Sequence, residues 1–241
     1  MICFFNTARA WGGGEKWHFD IAARLHADGE PVVVVARTRS ELARRLERQG
    51  IEPHTLKISN LSFLNVLKMF RLARFFKHRR VTVLVVNLPS DVKTAAVAAR
   101  FAGVKRIVYR RGSAIPIRDS RLNRLLFGRI ITDVLVNSHA TKSTILANNP
   151  NLFREERITV VYNGLKLTEF GASPTPAARR GDRPVVIGNL GRLEKQKAQH
   201  LLIELGAGLR EAGYDFSILI GGAGRLKQEL SRQIVEARLQ E

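Results

Sequence analysis

The sequence predicts an α/β fold: a doubly wound parallel sheet over about residues 1–165, with a second α/β unit from residue 185. Three observations carry the prediction. Strand-like runs recur at 2–5, 31–36, 81–87, 106–110, 133–138 and 158–163, and most are continuously apolar, as strands covered on both faces must be. Helical patterns lie between them at 14–28, 40–49, 64–79, 91–102, 120–129 and 140–148, the alternation expected of βαβ units. Then "GASPTPAARRGDRP" (171–184) has the Pro, Gly, Ala and Ser content of an exposed connector, and the alternation restarts after it. The expected organisation is an N-terminal domain over 1–170, a linker at 171–184 and a partial second domain over 185–241.

The first strand, "ICFF", is followed by "WGGGEKWHF", with Phe19, Ile21, Ala22 and Leu25 at helical spacing. Gly12, Gly13 and Gly14 therefore fall at a strand-to-helix turn. Glycine there admits close backbone approach, and the helix start offers unpaired N–H groups and a positive dipole end, so the turn suits a phosphate or carboxylate. The alternative is a tight turn between packed elements. The dinucleotide fingerprint fails, because Trp17 stands where its third glycine belongs, so a nicotinamide-dependent oxidoreductase is not expected. In open sheets of this kind ligands bind beyond the carboxyl ends of the strands, where these glycines fall.

Charge is unevenly distributed. The 241 residues carry a formal net charge of +19, and residues 53–132 alone hold 17 Lys and Arg against Asp91 and Asp119. Such a zone attracts anionic lipid, a polyanionic acceptor or nucleic acid, with ordinary solubility as the alternative. Inside it, "LNVLKMFRLARFFKHRR" (64–80) projects Val66, Met69, Phe70, Leu72, Ala73 and Phe76 onto one helical face, suited to packing on a sheet. Lys68, Arg71, Arg74 and His78 lie opposite, with Leu64, Leu67 and Phe75 interleaved among them. That mixture suits a lipid headgroup region, so Lys68, Arg71, Arg74 and Phe75 are the expected membrane-facing residues and an anionic membrane an expected partner. Nucleic acid is not an expected partner, since the zone has no RNA-recognition aromatic motif, zinc-finger spacing or helix-turn-helix signature.

No run approaches the roughly 20 apolar residues of a membrane span, and the N-terminus has no charged region followed by a long apolar stretch. A cytoplasmic location is expected, peripheral at the inner face of the cytoplasmic membrane. The single Cys3 lies in the first strand and reads as a small core residue. The six histidines show no metal-ligand spacing, so neither a metal nor another cofactor is expected. Ser138 and His139 are neighbours without a nucleophile elbow around them. Asp91, after "NLPS", reads as a helix N-cap or as a group orienting an acceptor hydroxyl.

The second unit reads as strand 185–191, helix 196–212, strand 216–222 and helix 226–239. Its core is thin and one sheet edge is open, as in the first half of a domain. "GNLGRLEKQKAQHLLIEL" places Arg192 and Lys197 at a strand-to-helix turn, where both can converge on a phosphate; two solvated cations are the alternative. "IGGAGRLKQEL" has Lys227 where a phosphate fingerprint requires glycine and reads as a plain strand-to-helix turn.

The ordered set "GGGEKWHFDIAARLHADG", "VVNLPSD", "VNSHATKSTI", "VVYNGLKLTEF", "GNLGRLEKQKAQHLLIEL" and "ILIGGAGRLKQEL" resembles the family 4 glycosyltransferases, retaining nucleotide-sugar enzymes of the GT-B fold. Relatives opening with a similar Trp-Gly-Gly-Gly-Glu-Lys-Trp stretch resemble enzymes of bacterial envelope or lipopolysaccharide assembly. The resemblance implies two Rossmann-like domains, the first holding the acceptor and the second the donor. By position, Arg192 and Lys197 match the cationic pair on the donor diphosphate, and Gly13 and Gly14 match the glycine loop that faces it. It also implies front-face substitution without a protein nucleophile, so no catalytic side chain is assigned. Asn163 and Gly164 match a structural turn before the linker.

Three departures stand out. Many relatives place a histidine after the strand "IVYRRGS", where this chain has Arg110, Arg111, Gly112 and Ser113; Arg111 is an expected acceptor-side residue together with Asp91, in contact with an anionic acceptor or the donor, and a surface or structural cation is the alternative. Ala198 replaces a usual glycine after Lys197. The paired glutamates that the family carries later in the second domain to bind donor sugar and ribose have no counterpart in these 241 residues, and Glu229 and Glu236 read as solvated helix residues instead. The expected function is transfer of a sugar from a nucleotide diphosphate sugar to an envelope glycan or lipid-linked acceptor with retention, impaired in a chain of this length. The alternative is a non-catalytic acceptor- or membrane-binding module, or one part of a split transferase.

Overall fold

The computed structural model describes residues 1–165 and 184–240. The chain divides into two compact units, Met1–Leu165 and Lys166–Glu241. The expected linker at 171–184 lies outside the described residues except for Pro184.

The first unit is an all-parallel seven-stranded sheet among the described residues, in the order β3-β2-β1-β4-β5-β6-β7. Its strands are β1 (Ile2–Asn6), β2 (Val32–Arg37), β3 (His54–Leu56), β4 (Val83–Val86), β5 (Arg106–Arg111), β6 (Asp133–Val136) and β7 (Ile158–Val160). β1 is an interior strand, pairing Cys3 with Val33 on one side and Leu84 on the other. Continuous apolar runs are required because both faces are covered. One face packs Phe5, Leu84, Ile107 and Val134 into the larger core; the other packs Phe4, Val34 and Val85 with Ala22, Leu42 and Leu46. Cys3 is buried in the larger core, which pushes its thiol pKa up.

The connecting helices are α1 (Gly13–Ala27), α2 (Glu41–Arg48), α3 (Val66–His78), α4 (Pro89–Asp91), α5 (Val97–Phe101), α6 (Arg121–Leu125) and α7 (His139–Ile145). Ser40, Asn65, Ser120 and Ser138 cap α2, α3, α6 and α7 by accepting a backbone N–H three residues on. Ser138 is therefore a cap. A π-turn at Val92–Ala96 joins α4 to α5, and another at Leu126–Ile130 follows α6.

Two readings of the basic zone need correction. The three-residue edge strand β3 was not expected; it exists because Val35 to Arg37 of β2 offer it a ladder. Helix α3 is also turned relative to its expected packing face. Leu72 and Phe76 are buried, but Val66 and Phe70 are exposed, while Phe75, expected outward, is half-buried and stacked on His54 with ring centroids 4.4 Å apart. The edge strand supplies His54, so the packing surface extends further round the helix than a sheet alone would make it.

The second unit has β8 (Val185–Leu190) parallel to β9 (Phe216–Gly221), with α8 (His200–Glu211) and α9 (Lys227–Glu236). Leu193, Ile203 and Leu230 form its buried core, with Ile220, Leu226, Ile234 and Leu239 against them. Val186, Leu190 and Leu219 are exposed.

Candidate functional site

Strand order in the first sheet reverses between β1 and β4, because the chain builds outward from β1 through β2 and β3 and then returns to the other side. The crevice beyond the carboxyl ends of β1 and β4 is where such sheets bind ligands. The β1–α1 turn and the start of α4 meet there. Gly12 is the extended N-cap of α1 and provides no side-chain cap. Space is open around Gly13, whereas a Cβ on Gly14 would sit 2.6 Å from Asn87 Nδ2 just after β4. The glycines thus have separate reasons: Gly14 lets α1 approach Asn87, and Gly13 leaves backbone accessible.

A buried polar cluster floors the crevice: Asn6, Thr7, His18, Asp91 and Arg110. Asp91 Oδ2 accepts the Thr7 N–H at 2.9 Å and Asp91 Oδ1 accepts the Thr7 hydroxyl at 2.5 Å. This corrects the N-cap reading. Pro89 occupies the first turn with Leu88 as cap, so Asp91 lies inside the helix and its carboxylate ties the β1 turn to α4. Burial pushes its pKa up to about 7, against the pull of the Thr7 bonds. Each Asp91 oxygen accepts one bond from Thr7.

His18 is fully buried on α1, with Nδ1 donating to the Gly14 carbonyl at 3.0 Å. Burial lowers its pKa to about 4, so it is neutral at pH 7. Glu15 Oε1 accepts from Asn6 Nδ2 at 3.2 Å. Sequence reading had missed Asn6, Thr7, Asn87 and His18. Their signal was position alone, directly after β1 or β4 or one turn into α1, and it becomes informative once the strand order is known.

At β5, neighbouring residues point to opposite faces. Arg111 Nε and Nη2 donate to the Ser113 and Ile115 carbonyls at 3.2 and 2.8 Å, and Nη1 to the Tyr109 hydroxyl at 3.1 Å. Its donors brace the loop after β5. Arg110 is the inward residue, 4% exposed, with its guanidinium 4.9 Å from the Trp17 ring centroid and Nη2 donating to Asn163 Oδ1 at 3.2 Å.

In the second unit Arg192 and Lys197 are both exposed, and the Lys197 stem runs beside Gly191. Among the described residues neither is ion-paired, whereas neighbouring Glu194 takes Arg225 at 2.7 Å. Their loop is held from below: Gln199, buried, donates to the Arg192 carbonyl at 3.0 Å, and Leu193 N–H donates to the Ala223 carbonyl at 2.9 Å. The "GGAG" stretch forms the turn between β9 and α9. Ala198 has φ +50°, a left-handed conformation that costs a non-glycine residue roughly 1 kcal/mol, which explains why glycine suits that position. Glu229 and Glu236 pair with Arg232 on the exposed side of α9.

A doubly wound parallel unit with a glycine turn at its switch point, followed by a second unit that presents two exposed cations after its first strand, defines a GT-B-type α/β protein. The chain belongs to Glycosyltransferase Family 4, whose model matches residues 11–169. It is 31% identical over 173 residues to the EpsF protein of Bacillus subtilis (strain 168), which carries a provisional glycosyltransferase name; the match covers 64% of this chain and 44% of that relative. The chain thus spans under half the length of the curated relative it matches.

Solved structures share the fold. Anabaena HepE in complex with UDP and glucose superposes with a TM-score of 0.76 at 20% identity, over 100% of this chain and 67% of that one. A glycosyltransferase from Rickettsia africae ESF-5 gives 0.76 at 16%, over 100% and 66%. The apo lipopolysaccharide outer core galactosyltransferase WaaB gives 0.70 at 18%, over 99% and 65%.

Proposed function

We propose that this protein takes part in transferring a sugar from a nucleotide diphosphate sugar to a hydroxyl of an envelope glycan or lipid-linked acceptor, with retention. The observation that carries the reading is the accessible glycine turn at the switch point of a family 4 chain. Its relatives supply the chemistry: HepE holds UDP and glucose, and WaaB is named for lipopolysaccharide. Gly13 and Gly14 of the first unit and Arg192 and Lys197 of the second are assigned to the diphosphate. The two cations offset charge as the bond from the sugar carbon to the diphosphate oxygen breaks. The acceptor oxygen bonds to that carbon on the same face, and its proton passes to the departing phosphate, so no protein nucleophile is needed.

Calorimetric titration with UDP and with uridine tests this assignment. Arg192→Ala and Lys197→Ala are each expected to weaken UDP binding by about tenfold or more, the scale of one charge-assisted hydrogen bond, and to leave uridine unaffected. Wild-type UDP affinity in both variants overturns it.

A second reading concerns where the protein works. No described helix is long and apolar enough to cross a membrane. Leu61, Leu64, Val66, Leu67 and Phe70 are exposed in one short stretch, beside a groove of about 560 Å³ lined by Lys57, Lys68, Arg71 and Phe75. Apolar side chains ringed by cations support peripheral contact with an anionic bilayer, with Arg71 and Arg74 at the surface and Lys68 and Phe75 half-buried beside them. Co-sedimentation with phosphatidylglycerol vesicles is expected at low salt, lost at high salt, and reduced severalfold in Leu67→Ser/Phe70→Ser. Equal binding to neutral vesicles, or no binding at low salt, sinks the proposal.

A further inference from the structure

We infer that Arg110 is an oxyanion-binding residue, seated by Trp17, Gly112 and Asn163 at the carboxyl end of β5, and that a substrate reaching it carries a phosphate or carboxylate. The inference rests on the sugar-transfer reading and names a charge requirement of that site.

The seat is built. A Cβ on Gly112 would overlap the Arg110 guanidinium, so the chain places glycine where the head group must lie. Trp17 covers one side and Asn163 fixes Nη2 from 53 residues away. The residue is nonetheless incompletely partnered. Guanidinium has five N–H donors, and among the described residues the Asn163 bond is the one side-chain hydrogen bond that Arg110 makes. It forms no ion pair among the described residues; Glu15, the nearby acid, is bonded to Asn6 instead.

Burying a cation without a counter-ion is costly, and a packed apolar residue of similar volume would avoid that cost. A planar fork fixed in orientation, with donors left over, matches the two oxygens of a phosphate or carboxylate. Among its neighbours Asn6, Thr7 and a neutral His18 add no charge beside an incoming anion, whereas Glu15 and the ionised fraction of Asp91, whose pKa burial pushes up to about 7, do. Arg111, one residue on, has its guanidinium engaged by three protein oxygens.

Trp17 makes the site readable. In a Trp11→Phe background Trp17 is the sole indole, and its emission can be followed while UDP, uridine or D-glucuronate is titrated into the chain, into Arg110→Gln and into Arg110→Lys. The expected result is that Arg110→Gln weakens at least one anionic ligand tenfold or more, that Arg110→Lys weakens it less, and that uridine is unchanged. A loss confined to UDP assigns the donor phosphate to Arg110; a loss confined to glucuronate assigns an acidic acceptor. Wild-type affinity for both anions in folded Arg110→Gln overturns the inference while leaving the donor assignment standing. Failure of the unsubstituted chain to bind either anion overturns both.

Discussion

A Gly222→Ala variant is expected to lose the fold of the second unit while the first unit remains folded. Gly222 has φ +150°, and a Cβ there would overlap the Gly191 carbonyl oxygen, a backbone atom that cannot rotate away. Gly191 is itself fixed, donating its N–H to the Gly221 carbonyl at 3.0 Å. The next turn is equally crowded, since a Cβ on Gly224 would overlap the Leu193 backbone. Relief requires separating the loops after β8 and β9, which breaks the Leu193 to Ala223 bond and displaces core Leu193.

The cost is roughly 4 kcal/mol, in the range of severe backbone overlap. A unit whose buried core is three residues has little stability beyond that. Both tryptophans, Trp11 and Trp17, lie in the first unit, so their unfolding midpoint reports on that unit alone. The expected pattern is an unchanged tryptophan midpoint together with loss of amide-exchange protection in β8, β9 and α8. The UDP binding proposed for Arg192 and Lys197 should disappear with the loop. Wild-type protection in β8 and β9 would show that the loops can part without unfolding.

Much of this architecture was legible in the residues. The strands of the first unit announce themselves because a parallel sheet covered on both faces demands unbroken apolar runs. β3 does not, because three residues of an edge strand carry no periodicity and depend on the β2 ladder. The α3 projection identified an amphipathic helix but misplaced its buried stripe by roughly 50°, since a wheel gives the spread of side chains and not the position of the neighbour. The glycine turn and the Arg192–Lys197 loop were found by local chemistry. The buried cluster was not, because Thr7 and Asp91 are 84 residues apart and meet only through the strand order. Arg110 and Arg111 were separable in principle by strand alternation, which sends one into the crevice and the other to its rim.

The same cluster predicts a pH response that the wild type conceals. Asp91 has its pKa raised from 3.8 to about 7 by burial, so between those values the folded state holds a proton that the unfolded state has lost. Its contribution to stability is therefore present below pH 3.8 and declines as pH rises through 7. His18 runs the other way. Its pKa is lowered from 6.5 to about 4, so over that interval the unfolded state holds the extra proton and stability rises with pH. Between pH 4 and 6.5 the two slopes oppose one another.

Removing one partner should expose the other. Asp91→Asn keeps an oxygen for Thr7 and an uncharged side chain, so its stability should climb from pH 4 to 6.5 by on the order of 3 kcal/mol relative to the wild-type profile. His18→Asn keeps a donor for the Gly14 carbonyl, and its stability should fall over the same interval and on to pH 7. Urea midpoints followed by tryptophan emission at four pH values between 4.5 and 7.5 would measure both slopes in the first unit. Parallel profiles for wild type and Asp91→Asn would mean that Asp91 ionises in the folded protein as it does in the unfolded chain. If the slopes separate as expected, the crevice floor at neutral pH holds a neutral His18 and an Asp91 poised between its two protonation states, and the β1 turn beside Gly13 is held by a bond whose charge changes near pH 7.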